Sequence, residues 1–190
     1  MAARSRSPSG PSPSRRPCAL RRLCGERRGS VALEFAIVAP IFLAIVFSTL
    51  EAGWMMTQAT LLDRALDITV REVRIGGPDA PTTEPQIRKA VCDRAMVIPG
   101  CEAVATVEMR LVEKASDFPT AAATCVDRGT TARPVTSFQS AARAKITFVR
   151  VCIVVDPITP LMGLALQLPK DAKGGYRLAT SSAFLSEPGT

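Results

Sequence analysis

Twenty consecutive residues, Val31 to Leu50 (VALEFAIVAPIFLAIVFSTL), include twelve Val, Leu, Ile or Phe and four Ala. A helix of that length rises about 30 Å, the thickness of a bilayer's hydrocarbon core. Twelve strongly apolar side chains at roughly −0.3 to −0.6 kcal/mol each give an insertion free energy on the order of −5 kcal/mol. Pro40 is compatible with this, because membrane helices tolerate proline better than soluble ones do. A domain drawn from the rest of a 190-residue chain could hardly cover such a helix on every side, so a buried core helix is the poorer reading. The charges give a direction. Eight arginines and a single acid, Glu26, lie in residues 1–28, so that stretch holds the whole net charge of +7 and the remainder is balanced. Arginines crowd the start of the apolar run, whereas the first charges beyond it are Glu51, Asp63 and Arg64. The positive-inside rule then predicts a cytoplasmic N-terminus and an external C-terminal part. A cleaved secretory signal fits less well, because the run exceeds an ordinary signal core and no A-x-A-like site follows Leu50.

One residue breaks the pattern. Glu34 lies in the first turn of the apolar run, where a carboxylate needs a partner or a route to the interface. Snorkelling toward the headgroups, helped by the helix N-terminus, would satisfy it alone. Its context is Arg27-Arg28-Gly29, then Ser30-Val31-Ala32-Leu33-Glu34-Phe35, then continuous apolar helix. That arrangement resembles the class III signal of type IV pilins. The resemblance implies cleavage by a prepilin peptidase between Gly29 and Ser30, on the cytoplasmic side, leaving the helix attached. Glu34 would be the family's glutamate, able to pair with the freed amine of a neighbouring subunit, since about one helical turn separates positions 30 and 34.

Leu33-Glu34-Phe35-Ala36-Ile37-Val38-Ala39-Pro40 and the closing Glu51-Ala52-Gly53 narrow the match. They resemble TadE-like pseudopilins, minor pilins of tight-adherence (Flp) type IVb systems. Tyr176 to Thr180 and Ala183 to Pro188 also look like that family's last strand. Major Flp pilins usually have tyrosine after the glutamate and are far shorter, whereas this chain has Phe35 and a long C-terminal part. The resemblance therefore implies a minor subunit. Its partners would be the prepilin peptidase, other pilin or pseudopilin subunits, pilus-assembly membrane proteins and the lipid bilayer. Its place would be the bacterial inner membrane, single-pass, with a periplasmic C-terminal domain.

Beyond the apolar run the helical period continues. Leu61, Leu62, Ala65, Leu66 and the stretch Ile68 to Val73 recur at near-helical spacing, with Asp63, Arg64, Asp67, Arg71, Glu72 and Arg74 on the wet face, until Gly76-Gly77-Pro78 stops the helix. Pro85 is placed to open a second helix at its first position, running from Gln86 to Val97. Ala105 to Val112 alternate as a strand with Thr106, Glu108 and Arg110 on a wet face, and Ala142 to Val155 and Tyr176 to Leu185 read as two more strands. Residues 116–134 read as an irregular loop. Pro157 to Leu168 is apolar but interrupted by Pro160 and Gly163, which predicts a surface segment able to touch lipid or a partner subunit.

Cys92, Cys101, Cys125 and Cys152 all fall on the predicted outer side, where an oxidising periplasm favours disulfides. Four cysteines allow three pairings. Cys92–Cys101 and Cys125–Cys152 are expected, because each would tether a loop to a neighbouring element, worth roughly 3 kcal/mol for the shorter loop and about 3.5 kcal/mol for the longer in the loop-entropy picture. Without a C-x-x-C spacing, four-cysteine zinc binding is disfavoured.

The expected fold is α+β: a long N-terminal transmembrane and spine helix, then a small disulfide-bonded head with an antiparallel sheet. The parts are a cytoplasmic Arg/Pro/Ser-rich leader (1–29), a membrane helix (30–52), its amphipathic continuation (53–76) and a periplasmic head (77–190). No enzyme is expected. Histidine is absent, which removes the commonest general base and metal ligand, and no G-x-S-x-G, P-loop, H-E-x-x-H or G-x-G-x-x-G occurs. Neither a cofactor nor a metal is expected, and the balanced charge beyond the leader offers no field for nucleic acid. The alternative function is an uncleaved bitopic membrane protein whose outer domain binds a partner.

Overall fold

A computed structural model describes residues 30–160 and 163–186. The leader and the Gly29 side of the expected cleavage site lie outside these residues. Helix α1 runs from Ser30 to Ile75 without a break at Pro40. At 46 residues it is about 69 Å long. It ends at Gly76, whose φ of 69° takes the left-handed conformation while its N–H donates to the Glu72 carbonyl (3.1 Å). Among the described residues this is the one helix long and apolar enough to cross a membrane.

From Val31 to Val38 every residue of α1 is exposed. The helix's last third behaves differently: Leu62, Ala65, Leu66, Thr69 and Val70 are buried at helical spacing while Asp63, Arg64, Asp67 and Arg71 stay exposed. Ile68 is on the exposed side, so the apolar stripe is narrower than the sequence suggests. Helix α2 spans Glu84–Arg94, with Thr83 as its N-cap; the Gln86 side chain accepts from the Thr83 N–H at 3.1 Å. Pro85 thus falls one residue inside the first helical position. The helix also ends three residues before Val97, because Ala95 to Gly100 turn the chain so that Ile98 enters the core ahead of Pro99.

A single turn of helix, α3 (Cys101–Val104), leads into β1 (Ala105–Val112), followed by β2 (Ile146–Val155) and β3 (Tyr176–Leu185). They form one antiparallel sheet in the order β1-β2-β3. Val107 pairs with Val151, and Val151 with Thr180. β2 starts four residues later than the pattern suggested, because Ala142 to Lys145 close a turn in which Ala144 has φ 58°.

One sheet face supplies Val107, Met109, Val149, Val151, Ile153 and Leu178 to a core shared with Leu62 and Leu66 of α1 and Ile87 and Val91 of α2. The other face, expected to be wet, is partly covered, while its β3 positions Arg177, Ala179, Ser181 and Ala183 are exposed. Thr106 and Glu108 are buried, because the 113–130 loop folds across them. Cys125 is bonded to Cys152 in the middle of that face, the Thr106 hydroxyl donates to the Thr124 carbonyl (2.6 Å), and Phe118 meets Phe148 edge-to-face. Cys92 is bonded to Cys101, joining α2 to α3. Both pairings are those expected from the sequence.

The two edges of the sheet differ. Residues 137–139 run along β1: Met109 donates to the Ser137 carbonyl at 3.0 Å and Gln139 donates to the Met109 carbonyl at 2.9 Å. The outer edge of β3 carries one isolated bridge, between Tyr176 and Lys170.

Candidate functional site

The predicted site residues occupy the beginning of α1. Ser30 is its first residue, and Glu34 and Phe35 follow on exposed turns, Phe35 at 72% exposure. Val31, Leu33, Ile37, Val38 and Ile41 are likewise exposed. An apolar surface extending around a helix in this way suits lipid or other apolar helices, and not water. The two hydroxyls in the run are satisfied locally, as suits an apolar environment. The Ser48 hydroxyl donates to the Ala44 carbonyl (2.6 Å) and that of Thr49 to the Val46 carbonyl (2.8 Å).

Glu51, the first charge past the apolar run, has a role that sequence reading missed. It is wholly buried. Its carboxylate accepts from the Thr159 N–H (2.9 Å), the Thr159 hydroxyl (3.0 Å) and, more weakly, the Ile158 N–H (3.3 Å). About two turns further on, Gln58 accepts from the Tyr176 hydroxyl at 3.0 Å. Burial and the nearby Glu51 charge push the Tyr176 phenol up to about 12.

The segment that Glu51 holds, residues 157–170, is closed at its neck by Arg128. This guanidinium reaches Asp156, just before the segment, at 2.7 Å and Asp171, just after it, at 2.6 Å. Asp171 has a fully buried side chain and also accepts from the N–H groups of Lys173 and Gly175. Hydrogen bonding from Arg128 holds its carboxyl well below the usual range, against the opposing effect of burial. Gly175 admits no side chain here, since a Cβ would collide with the Arg128 guanidinium. A lone acid after an uncharged run was visible in the sequence, but nothing local linked it to residues more than 100 positions away.

A family model described as TadE-like protein matches residues 29–71. The matched stretch covers α1 almost to its end and does not extend to β3, where a likeness to the family's last strand was also read. No curated protein and no solved structure matches the chain. Exposed apolar turns around Glu34, a helix that continues into a packed stripe and the family match coincide in one stretch: over residues 29–71 this chain is similar to TadE-like proteins.

Proposed function

We propose that the chain is a single-span membrane pseudopilin that takes part in assembling a tight-adherence (Flp) pilus and is processed by a prepilin peptidase after Gly29. The observation that carries this reading is the start of the family match at Gly29, with Glu34 following as the fifth residue of the would-be mature chain. The protein performs no chemistry of its own and is itself the peptidase's substrate. It sits in the bacterial inner membrane with the arginine-rich leader in the cytoplasm and the head in the periplasm, as the charge asymmetry around the apolar run favours.

In this reading Gly29 leaves the scissile bond accessible. Ser30 supplies the new amine, and Glu34 and Phe35 face other pilin or pseudopilin helices and pilus-assembly membrane proteins. Two disulfides in the head agree with an oxidising compartment. The deciding experiment is N-terminal sequencing of the membrane-bound protein from cells with and without an active prepilin peptidase. A start at Ser30 only in the former is expected. An intact N-terminus in both would replace the proposal with an uncleaved bitopic protein whose outer domain binds a partner, and a start beyond residue 50 would indicate a removed secretory signal.

A further inference from the structure

Residues 157–169 contain no Asp, Glu, Lys or Arg, and six of these thirteen are Ile, Leu or Met. Their polar and apolar parts are sorted in space. Charge collects at the neck, where Arg128 bridges Asp156 and Asp171. Away from the neck, Ile158 and Leu166 are each 57% exposed. Glu51 satisfies the backbone N–H groups of Ile158 and Thr159, which would otherwise need water.

The position along α1 matters most. Gly163, at φ 61°, lies so close to the helix that a Cβ would collide with the Ser48 hydroxyl and stand 3.2 Å from the Ala44 carbonyl. Ala44 and Ser48 belong to the apolar run. Counting back from Leu50, they lie about 9 Å and about 3 Å on its lipid side. A segment resting on them shares their depth.

We propose that residues 157–160 and 163–169 form a second membrane contact, inserted into the outer acyl region of the same bilayer that α1 crosses. The inference rests on the membrane-spanning reading of α1 and adds a lipid-facing surface from the distant C-terminal half of the chain. The occupant is lipid, since the segment lies against the bilayer-crossing run and, among its described residues, Ile158 and Leu166 are exposed large side chains. The adjoining charge, Lys170, sits at the neck end beside Asp171, so the apolar part carries no electrostatic preference and zwitterionic lipid suffices. Such a contact would hold the head against the membrane surface by its neck.

The test uses the full chain in phosphatidylcholine vesicles containing lipid brominated near the headgroup end of its acyl chains. Trp54 is the sole tryptophan, so Trp54→Phe gives a silent background. Leu166→Trp and, independently, Ile158→Trp report on the segment. Phe42→Trp reports on the span, and Val135→Trp, at 98% exposure, reports on water. Expected is quenching of the Leu166→Trp or Ile158→Trp emission within about twofold of the Phe42→Trp value, with Val135→Trp unquenched. Quenching of Phe42→Trp alone would overturn the inference and leave the span intact. Quenching of neither would remove the spanning reading and the inference with it. Emission that is insensitive to bromine but blue-shifts as protein concentration rises would assign the segment to a protein contact and equally overturn the proposal.

Discussion

Replacing Glu51 with alanine should release the 157–169 segment while leaving the sheet folded. The carboxylate serves three donors at 2.9, 3.0 and 3.3 Å, and none of its partners is a basic side chain. A hydrogen bond to a charged acceptor nets about 1.5–3 kcal/mol, and the longest of the three counts least. Desolvation of a fully buried carboxylate opposes part of this gain. Losing all three bonds while recovering that penalty leaves about 2–4 kcal/mol on the closed segment, a factor of roughly 30–1000 in its opening equilibrium. Opening lets the freed N–H groups find water, which caps the loss and keeps it local. Native-state amide exchange in detergent micelles reads this directly. The Thr159 and Ile158 amides should exchange faster by that factor in Glu51→Ala, by less in Glu51→Gln, and the Val151 amide in β2 should be unchanged. Unaltered protection at Thr159 in Glu51→Ala, or equal loss at Thr159 and Val151, would refute the reasoning.

Other changes have defined outcomes. Tyr176 keeps its proton to about pH 12 when folded, whereas an unfolded phenol releases it near 10. Its contribution to stability is therefore complete below pH 10 and falls as pH rises toward 12, by at most about 1.4 kcal/mol per pH unit; denaturant melts of Tyr176→Phe should lose that slope. Arg128→Ala strands the buried Asp171 carboxylate and should cost about 3 kcal/mol, lowering the melting temperature by roughly 6–12 °C. Because Asp171 titrates low when folded, the wild-type protein should hold the Arg128 contribution through neutral pH and lose it as pH falls below the usual carboxylate range; the mutant should show a flatter acid limb. Removing the Cys125–Cys152 bond as a double serine variant should cost about 3.5 kcal/mol and expose Glu108 to solvent, measurable by denaturation and by protease cleavage within 113–130. Glu34→Ala should leave membrane insertion intact and weaken piliation, scored by electron microscopy, and undiminished piliation would remove Glu34 from assembly.

Periodicity made much of this fold legible. The apolar run, the 3.6-residue stripe from Leu62 to Val70 and the glycine stop at Gly76 each act within a few residues, and α1 follows them. β1 was equally plain from alternation, and β3 falls on the Tyr176–Leu185 stretch expected to be the last strand. The errors occurred where distant chain decides the outcome. Thr106 and Glu108 look like a wet face because nothing nearby reveals that Cys125 will bring a loop over them. Ala142 to Lys145 carry enough small and aliphatic character to pass for strand, yet turn. Glu51, Arg128 and Asp171 are ordinary charges in sequence. Their roles arise from pairings across 28 to 108 positions that no local spacing encodes.

The two sheet edges have a consequence for how copies of the head can associate. Because residues 137–139 occupy part of the margin of β1, among the described residues β3 offers the open margin for backbone pairing between copies. Two heads can meet margin to margin there, and both are then spent. A continuous ribbon would require two open margins on every copy. Any longer array of these subunits must consequently be held together through side chains, above all those of the exposed apolar helix, rather than by strands adding one after another.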